Sequence, residues 1–393
     1  MITLSVVVPA TDRPPTLPRC RAALAAAADP ADEVIVVDGP PDLSAAGARN
    51  AGAQRATGDV VVFVDADVEV HRDALARIRA AFATRPELTA LYGSYDDRPH
   101  DRRIVSAFRN LLHHHVHQSA PGPAETFWTG LGAVRRTAFL AVGGFDEDRY
   151  PHPSIEDIDL GRRLHAAGAR IELDPAIQGT HLKSWTLRSM VWTDFARRAV
   201  PWVALQLRTR RLSTALNCGW RHRLSAASCA LAAGSAVLGW PRLALAAALV
   251  LLALNHGFYA LLARRLGPGP AVVGVALHGV HHLVAVAAVP VGVVAALGAW
   301  VSALRRRPAR TGTGPGTATD LDGAGLRTGT ATADAGGAGP DARPAPLGTG
   351  HDRPPADDGD RLGGPGTGAA GAGRSAGAGR STGAVRGPGT LAR

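Results

Sequence analysis

The stretch Val60-Val61-Val62-Phe63-Val64-Asp65-Ala66-Asp67 decides the fold. A short, unbroken, β-branched run reads as a strand buried on both faces, which is the habit of parallel sheets. The run stops at two carboxylates with one residue between them. In open α/β sheets, ligands bind beyond the C-terminal ends of the strands. Two hard oxygen donors this close suit a divalent cation, and such a cation commonly bridges to phosphate. An acidic turn after a core strand has the same composition, so the pair needs support from the rest of the chain.

Working outward from this strand, the pattern repeats. Residues 4–8 are a strand closed by Pro9, and 19–28 an Ala-rich helix. Residues 33–37 are a second strand, ending at Asp38; Pro40 and Pro41 forbid its continuation. Ser44 can cap a helix that runs to Ala56, and Gly58 ends it. Beyond the central strand, 71–83 form a helix with Leu75, Ile78 and Phe82 on one face, and 88–92 another strand. This alternation predicts an α/β fold: a mostly parallel sheet with helices on both faces. Asp38 and Asp67 then follow strands at one sheet edge, where a single ligand can touch both. Arg49 and Asn50 open onto the same edge, to meet a phosphate or a base, or else Arg49 is an exposed helix residue.

The pattern changes after Tyr95. Residues 104–118 read as a helix that holds His113, His114, His115 and His117. Adjacent helical residues point to different faces, so this run does not converge on a metal; an interfacial or acceptor-side role suits it better. Residues 127–134 read as a strand bent at Gly130 and Gly132, and 136–142 as a short helix stopped by Gly143-Gly144. A helix from Ile155 to about Ala167 carries Glu156, Asp157 and Asp159 in its first turn, where the helix dipole favours carboxylates whatever their role. Residues 170–173 are an edge-like strand, and 176–181 a short segment ending at the lone His181.

In order and spacing, these pieces resemble the family 2 glycosyltransferases, which have the GT-A fold. Ser5-Val6-Val7-Val8-Pro9 resembles the opening strand, and Val36-Val37-Asp38-Gly39 the strand end that contacts the nucleotide. Ala48-Arg49-Asn50-Ala51-Gly52 resembles the segment leading to the metal motif, and Asp65-Ala66-Asp67 the DxD motif itself. Gly143-Gly144-Phe145-Asp146-Glu147, followed by Glu156-Asp157-Ile158-Asp159-Leu160 and Arg163, resembles the acceptor-side signature. His181 lies 24 positions after Asp157, where some members carry a metal-binding histidine. The resemblance covers roughly residues 3–200.

It implies a nucleotide-diphosphosugar donor, with Pro9, Asp38, Arg49 and Asp65 on the donor side and Trp128 and Gly130 lining the sugar or acceptor pocket. It implies Mg2+ or Mn2+ on Asp67, with Asp65 and His181 as the further metal-side residues. Asp157 is then the general base for the acceptor hydroxyl, with Glu156 in support. The cation neutralises a leaving diphosphate, and one carboxylate takes the proton. A single base opposite the leaving group gives inversion, with no second, nucleophilic carboxylate. Where the family usually has a serine after the second strand, this chain has Asp38-Gly39-Pro40-Pro41-Asp42, so the mode of base recognition stays open.

Composition divides the 393 residues into three zones: a transferase-like domain over 1–215, nearly uncharged apolar helices over 216–304, and a tail over 305–393. The formal charge is +10, and arginines flank the almost wholly apolar stretch over about 224–304: Arg197, Arg198, Arg208, Arg221 and Arg223 before it, Arg305 to Arg307 after it. That placement favours a membrane surface over nucleic acid, for which there is no signature. Three scattered cysteines give neither a metal spacing nor a disulfide framework. The first residues lack a basic leader and run straight into a strand, so the catalytic part is expected on the cytoplasmic side of an inner membrane.

Within the apolar zone, 243–263 has the length of one span, and 271–303 is too short for two. His278, His281 and His282 share a helix face and read as polar residues at the membrane interface. Apolar helices beside a transferase fit a lipid-linked or cell-envelope acceptor, or simple tethering to membrane lipids. The Gly-, Pro- and Ala-rich tail has too little apolar surface to fold alone. Two rival readings are a nucleotidyltransferase on a similar sheet and a non-catalytic membrane scaffold. The first wants a glycine-rich phosphate loop after the first strand, which residues 9–15 do not resemble.

Overall fold

A computed structural model describes residues 1–305 apart from 211, 213–215 and 217–218. The tail expected beyond Arg305, together with Arg211 and Cys218, lies outside the described residues.

The central strand is β3 (Val60–Val64), and all five of its residues are buried. Its side chains alternate between two cores, as a period of two requires. Val60, Val62 and Val64 pack on one face with α1 (Leu17–Ala25) and α3 (Ala74–Thr84), through Leu24, Leu75, Ile78 and Phe82. Val61 and Phe63 pack on the other with α2 (Ala45–Arg55), α5 (Arg136–Ala141) and α6 (Glu156–Ala166), through Ala53, Phe139, Leu160 and Leu164. A strand covered on both faces tolerates no polar residue until it emerges, which is at Asp65.

The strand order is β2-β1-β3-β7-β5-β8-β4, with β6 also paired to β8. Here β1 is Leu4–Pro9, β2 Glu33–Val37, β4 Val68–Val70, β5 Leu88–Tyr95, β6 Gly122–Ala124, β7 Leu131–Arg135 and β8 Arg170–His181. The sheet is mixed, where the alternation of strands and helices predicts mostly parallel pairing. Strands β2, β1, β3, β5 and β8 do share one direction, but β7 inserts antiparallel between β3 and β5. Hydrophobic periodicity carries no strand direction, so this reversal leaves no mark in the sequence.

Two further boundaries differ. The strand expected over 127–134 begins only at Leu131. A Cβ on Gly132 would lie 2.1 Å from the Trp128 carbonyl, so the loop over 125–130 folds tightly across the strand's start. The edge-like strand at 170–173 and the segment at 176–181 are one interior strand, β8. Its register against β5 shifts between Tyr92 and Ser94, which accommodates Asp174-Pro175 and hides its continuity from the alternation pattern.

After α4 (Ile104–Gln118) and β8, the chain turns helical: α7 (Leu187–Trp192), a π-helical turn over Thr193–Ala199, and α8 (Val200–Thr209). Four apolar helices follow, α9 (Trp220–Val237), α10 (Pro241–Leu254), α11 (His256–Leu266) and α12 (Pro268–Arg305). The expected single span over 243–263 is broken, because α10 and α11 bend by 71° at Asn255. Asn255 is buried, and its amide donates to Ser225 Oγ (2.8 Å) and the Leu251 carbonyl (2.9 Å). The apolar block after 270 is one continuous helix. Its 38 residues exceed the length needed to cross a bilayer core, about 20 residues. Leu245, Leu249, Val294, Leu297 and Trp300 face outward, an exposed apolar surface of the kind that meets lipid or protein.

Candidate active site

The turn after β3 is fixed by backbone bonds. Asp65 N donates to the Gly130 carbonyl (3.3 Å) and Val68 N to the Asp65 carbonyl (2.9 Å). The chain then enters β4, which pairs Val68 with His181 of β8, and Leu182 N donates to the Asp67 carbonyl (2.8 Å). This pairing sets His181 Nε2 3.6 Å from Asp67 Oδ2. The imidazole is stacked on Tyr95, the last residue of β5, with ring centroids 4.1 Å apart and planes 11° off parallel. His113 and Trp128 pack against the same tyrosine. Burial raises the Asp67 carboxyl, but hydrogen bonding and charge from His181, with Lys183 nearby, outweigh it and hold it below the ordinary value.

Helix α6 brings the second carboxylate. A Cβ on Gly161 would lie 2.3 Å from Phe127 N, so α6 lies directly on the loop that carries Trp128. This approach sets Glu156 and Asp157, in the first turn of α6, beside the DxD turn. Arg49 bridges the two ends: Nη2 to Asp65 Oδ1 at 2.7 Å and Nη1 to Glu156 Oε1 at 3.0 Å. The guanidinium is buried and its affinity for the proton is raised, since the two carboxylates outweigh its desolvation. It is neither an exposed helix arginine nor a free hand for phosphate; it braces acidic groups that would otherwise repel. Asp157 keeps no such partner. Burial first, and then the charge of Glu156, push its carboxyl up to about 7, against the pull of Arg49 and a hydrogen bond from Ile158 N (2.8 Å).

One cavity of about 610 Å³ is lined by Arg49, Asp65, Asp67, Trp128, Glu156, Asp157 and His181. Gly130 stands behind it, where a Cβ would lie 2.2 Å from the Trp128 ring. Pro9 and Asp38 do not line this cavity; they sit at the ends of β1 and β2, joined by the Ala10 N to Val37 carbonyl bond (2.8 Å). Among the described residues, no three or more His, Cys, Asp or Glu side chains form a ready-made metal cage. Asp67 and His181 do offer an oxygen and a nitrogen close enough to share one cation. A cation bound there would complete its shell from water and diphosphate, the usual habit of Mg2+.

The cavity continues past residues the sequence reading assigned elsewhere. Arg198, grouped above with membrane-surface arginines, lines it, and its charge reaches Asp157. Lys183, Arg109, Asp194 and Trp202 line it too. The π-helical turn adds an extra residue to the helix and rotates this segment, which no periodicity count anticipates. His114 and His117 are tied to the carbonyls of Tyr95 and Gly93 (both 2.9 Å), and His115 to Arg221 (3.0 Å), so the histidine run does diverge. Of these, His113 and His117 line the cavity, and burial holds His113 well below its ordinary value, as a neutral imidazole.

His278, His281 and His282 are not interfacial. His278 and His282 are buried, and His281 Nδ1 lies 2.8 Å from Asp194 Oδ2. Asp194 also pairs with Arg109 Nη2 of α4 at 2.6 Å. Helix α12 lies along α8 and the π-helical turn, so its histidine face meets protein rather than headgroups.

The sheet thus presents a carboxylate pair at a strand end and a second acidic helix turn to one shared cleft. The model of glycosyl transferase family 21 matches residues 49–310, and the chain belongs to that family. The match begins at the bracing arginine and runs through the apolar helices. A pre-mycofactocin glycosyltransferase of Mycobacterium tuberculosis (strain H37Rv) is 28% identical over 173 residues, 40% of this chain and 35% of that protein. Its counterpart in strain CDC 1551 matches equally. The alignment thus spans about a third of the length of these curated relatives. Among solved structures, a mannosyltransferase from Pyrobaculum calidifontis, in complex with GDP-Man and Mn2+, is 17% identical, covering 75% of this chain and 87% of its own, with a TM-score of 0.43. GalNAc-T7 with UDP, GalNAc and Mn2+ is 14% identical over 47% and 44%, with a TM-score of 0.36.

Proposed function

We propose that the protein transfers a sugar, with inversion, from a nucleoside-diphosphate sugar to the hydroxyl of a lipid-linked acceptor at a membrane. The observation that carries this reading is the single cavity. It is lined by Asp67, His181 and Asp157 and also by residues of α8 and the apolar α12. In this reading the transferase domain spans residues 1–215 and the membrane helices 216–304. The helix long enough to cross is α12, and α10 with α11 forms a broken span or a re-entrant pair. The catalytic side faces the cytoplasm of an inner membrane.

Asp67 and His181 would hold Mg2+ or Mn2+, with Asp65 beside them fixed by Arg49. The bound cation supplies Lewis-acid neutralisation of the diphosphate as it leaves. Arg198 and Lys183 add positive charge to the same cavity. Asp157 accepts the proton of the acceptor hydroxyl as the oxygen attacks the anomeric carbon. A carboxyl near 7 is well matched to that task at neutral pH, since a base works best near the operating pH. Glu156 raises Asp157 by its charge and is itself held by Arg49 and by Ser154 N (2.7 Å). Trp128, set by Gly130, forms an aromatic wall for the sugar or acceptor. Pro9 and Asp38, at the neighbouring strand ends, are left for the base and ribose.

The test is release of nucleoside diphosphate by the full chain in membranes, screened over nucleotide sugars with Mg2+ or Mn2+. At least one donor should turn over, and chelation should stop it. Turnover unaffected by chelation would remove the cation from this reading.

A further inference from the structure

The chain carries 43 lysines and arginines, and only Lys183 among them is a lysine. It lies two residues beyond His181, on the connection between β8 and α7, and both side chains line the cavity. Backbone bonds pin this connection on either side of it. Leu182 N donates to the Asp67 carbonyl (2.8 Å), and Trp185 N donates to Ser106 Oγ of α4 (2.7 Å).

What holds Lys183 is a ring, not a carboxylate. Its Nζ lies 4.9 Å from the centroid of the Trp185 ring, and among the described residues no carboxylate lies within ion-pair distance of it. The difference matters. A cation over an aromatic face is oriented without being neutralised, and the three N–H donors of the ammonium stay available. Trp185 is buried, so the ring is a fixed shelf. The same indole carries Arg109, whose guanidinium lies 5.4 Å from the ring, but Arg109 is paired with Asp194 Oδ1 at 2.6 Å. Of the two cations on this ring, Lys183 is the one whose charge is uncommitted. That charge reaches Asp67 and helps to hold it below the ordinary carboxylate value.

We infer that Lys183, set in place by Trp185, binds the diphosphate of the donor beside Asp67 and His181. A divalent cation held through a carboxylate offsets only part of a diphosphate's charge, and an ammonium on the same wall supplies more. Lysine suits phosphate as a compact point charge on a flexible stem. Trp185 is a positioning residue: it touches the ammonium and leaves the ligand to it. This inference rests on the donor reading above and deepens it, by naming the residue that meets the diphosphate. It holds for any base or sugar, and for a diphosphate that carries neither.

The experiment labels the full chain, in phosphatidylcholine nanodiscs, with trace acetic anhydride. Acetylation of Lys183 is read by peptide mass spectrometry against an added lysine peptide, and no other side chain of the sequence is an amine. The probes are GDP, UDP and inorganic pyrophosphate, each with Mn2+; guanosine and uridine are the controls. Binding is followed by thermal unfolding. At about ten times its Kd, a diphosphate probe should slow acetylation of Lys183 about tenfold, and the nucleosides should not slow it. Lys183→Met should weaken binding of the same probe about tenfold or more, as expected when a hydrogen bond to a charged group is lost. Lys183→Arg keeps the charge, so it should restore most of that affinity, and it guards against misfolding of the first variant. Trp185→Leu should weaken binding in the wild-type background and add nothing in Lys183→Met; additive losses would overturn the role of Trp185. Unchanged acetylation of Lys183 beside a bound diphosphate, or unchanged affinity in Lys183→Met, would overturn the inference and leave the donor reading intact. If no diphosphate stabilises the wild type with Mn2+, the donor reading falls, and the role of Lys183 with it.

Discussion

Asp67 and Asp157 carry the same side chain and are driven in opposite directions. Asp67 is half-buried beside His181, with the charge of Lys183 nearby, and stays below the ordinary carboxylate value; Asp157, half-buried beside Glu156, rises to about 7. Pairs of groups pushed apart in this way are how one site supplies both a permanent anion and a titratable base. The consequence is a pH profile. In the proposed reaction Asp157 acts only when ionised, so kcat/KM should fall tenfold per pH unit as pH drops below about 7, and level off above it. A plateau extending unchanged down to the ordinary carboxylate range, about 4, would separate the base from Asp157. At this scale the sequence was informative about residue identity and silent about pairing. The carboxylates and His181 stood out by position, whereas the bond from Arg49 to Glu156 joins residues more than a hundred positions apart and follows only from the packed fold.

At the scale of elements, α6 delivers Asp157 because Gly161 lets the helix touch the backbone at Thr126 and Phe127. The obstructing atoms are backbone and cannot rotate aside. Gly161→Ala should therefore push α6 outward, at a cost of about 1–3 kcal/mol in stability, as overpacking does. It should lower kcat more than it raises the donor KM, since the proposed base moves and the turn after β3 does not. Steady-state kinetics with thermal unfolding of the same variant check both.

Which elements the sequence revealed follows from how they are built. β3 was readable because both its faces are buried, and α2 because Ser44 caps it, its hydroxyl accepting from Gly47 N at 3.0 Å. β4 and β6, three residues each, are too short for a period, and β8 was divided by Asp174-Pro175. The reversal of β7 and the π-helical turn that carries Arg198 depend on tertiary neighbours alone.

At the scale of the whole molecule, the apolar helices are part of the site rather than a leash for it. The family match, over 49–310, takes in both. The joint is Asp194, which meets Arg109 of α4 on one side and His281 of α12 on the other. Arg109 is buried, and burial brings its guanidinium down to about 10. Removing its anion leaves that charge uncompensated, which in comparable buried pairs costs about 3–5 kcal/mol. Asp194→Ala should thus lower the unfolding midpoint of the full chain in nanodiscs by several degrees. An unchanged midpoint would show that the joint carries no strain of the assembly.

Asp67 and Asp157 line one cleft, and the proposed transfer depends on their meeting there. The most direct measurement is Asp157→Asn in the full chain, with donor binding and sugar transfer followed side by side. Asparagine keeps the shape and loses the base, so transfer should drop by about 10²–10⁴-fold while metal-dependent donor binding stays within a few-fold of wild type. Transfer at the wild-type rate would contradict the account.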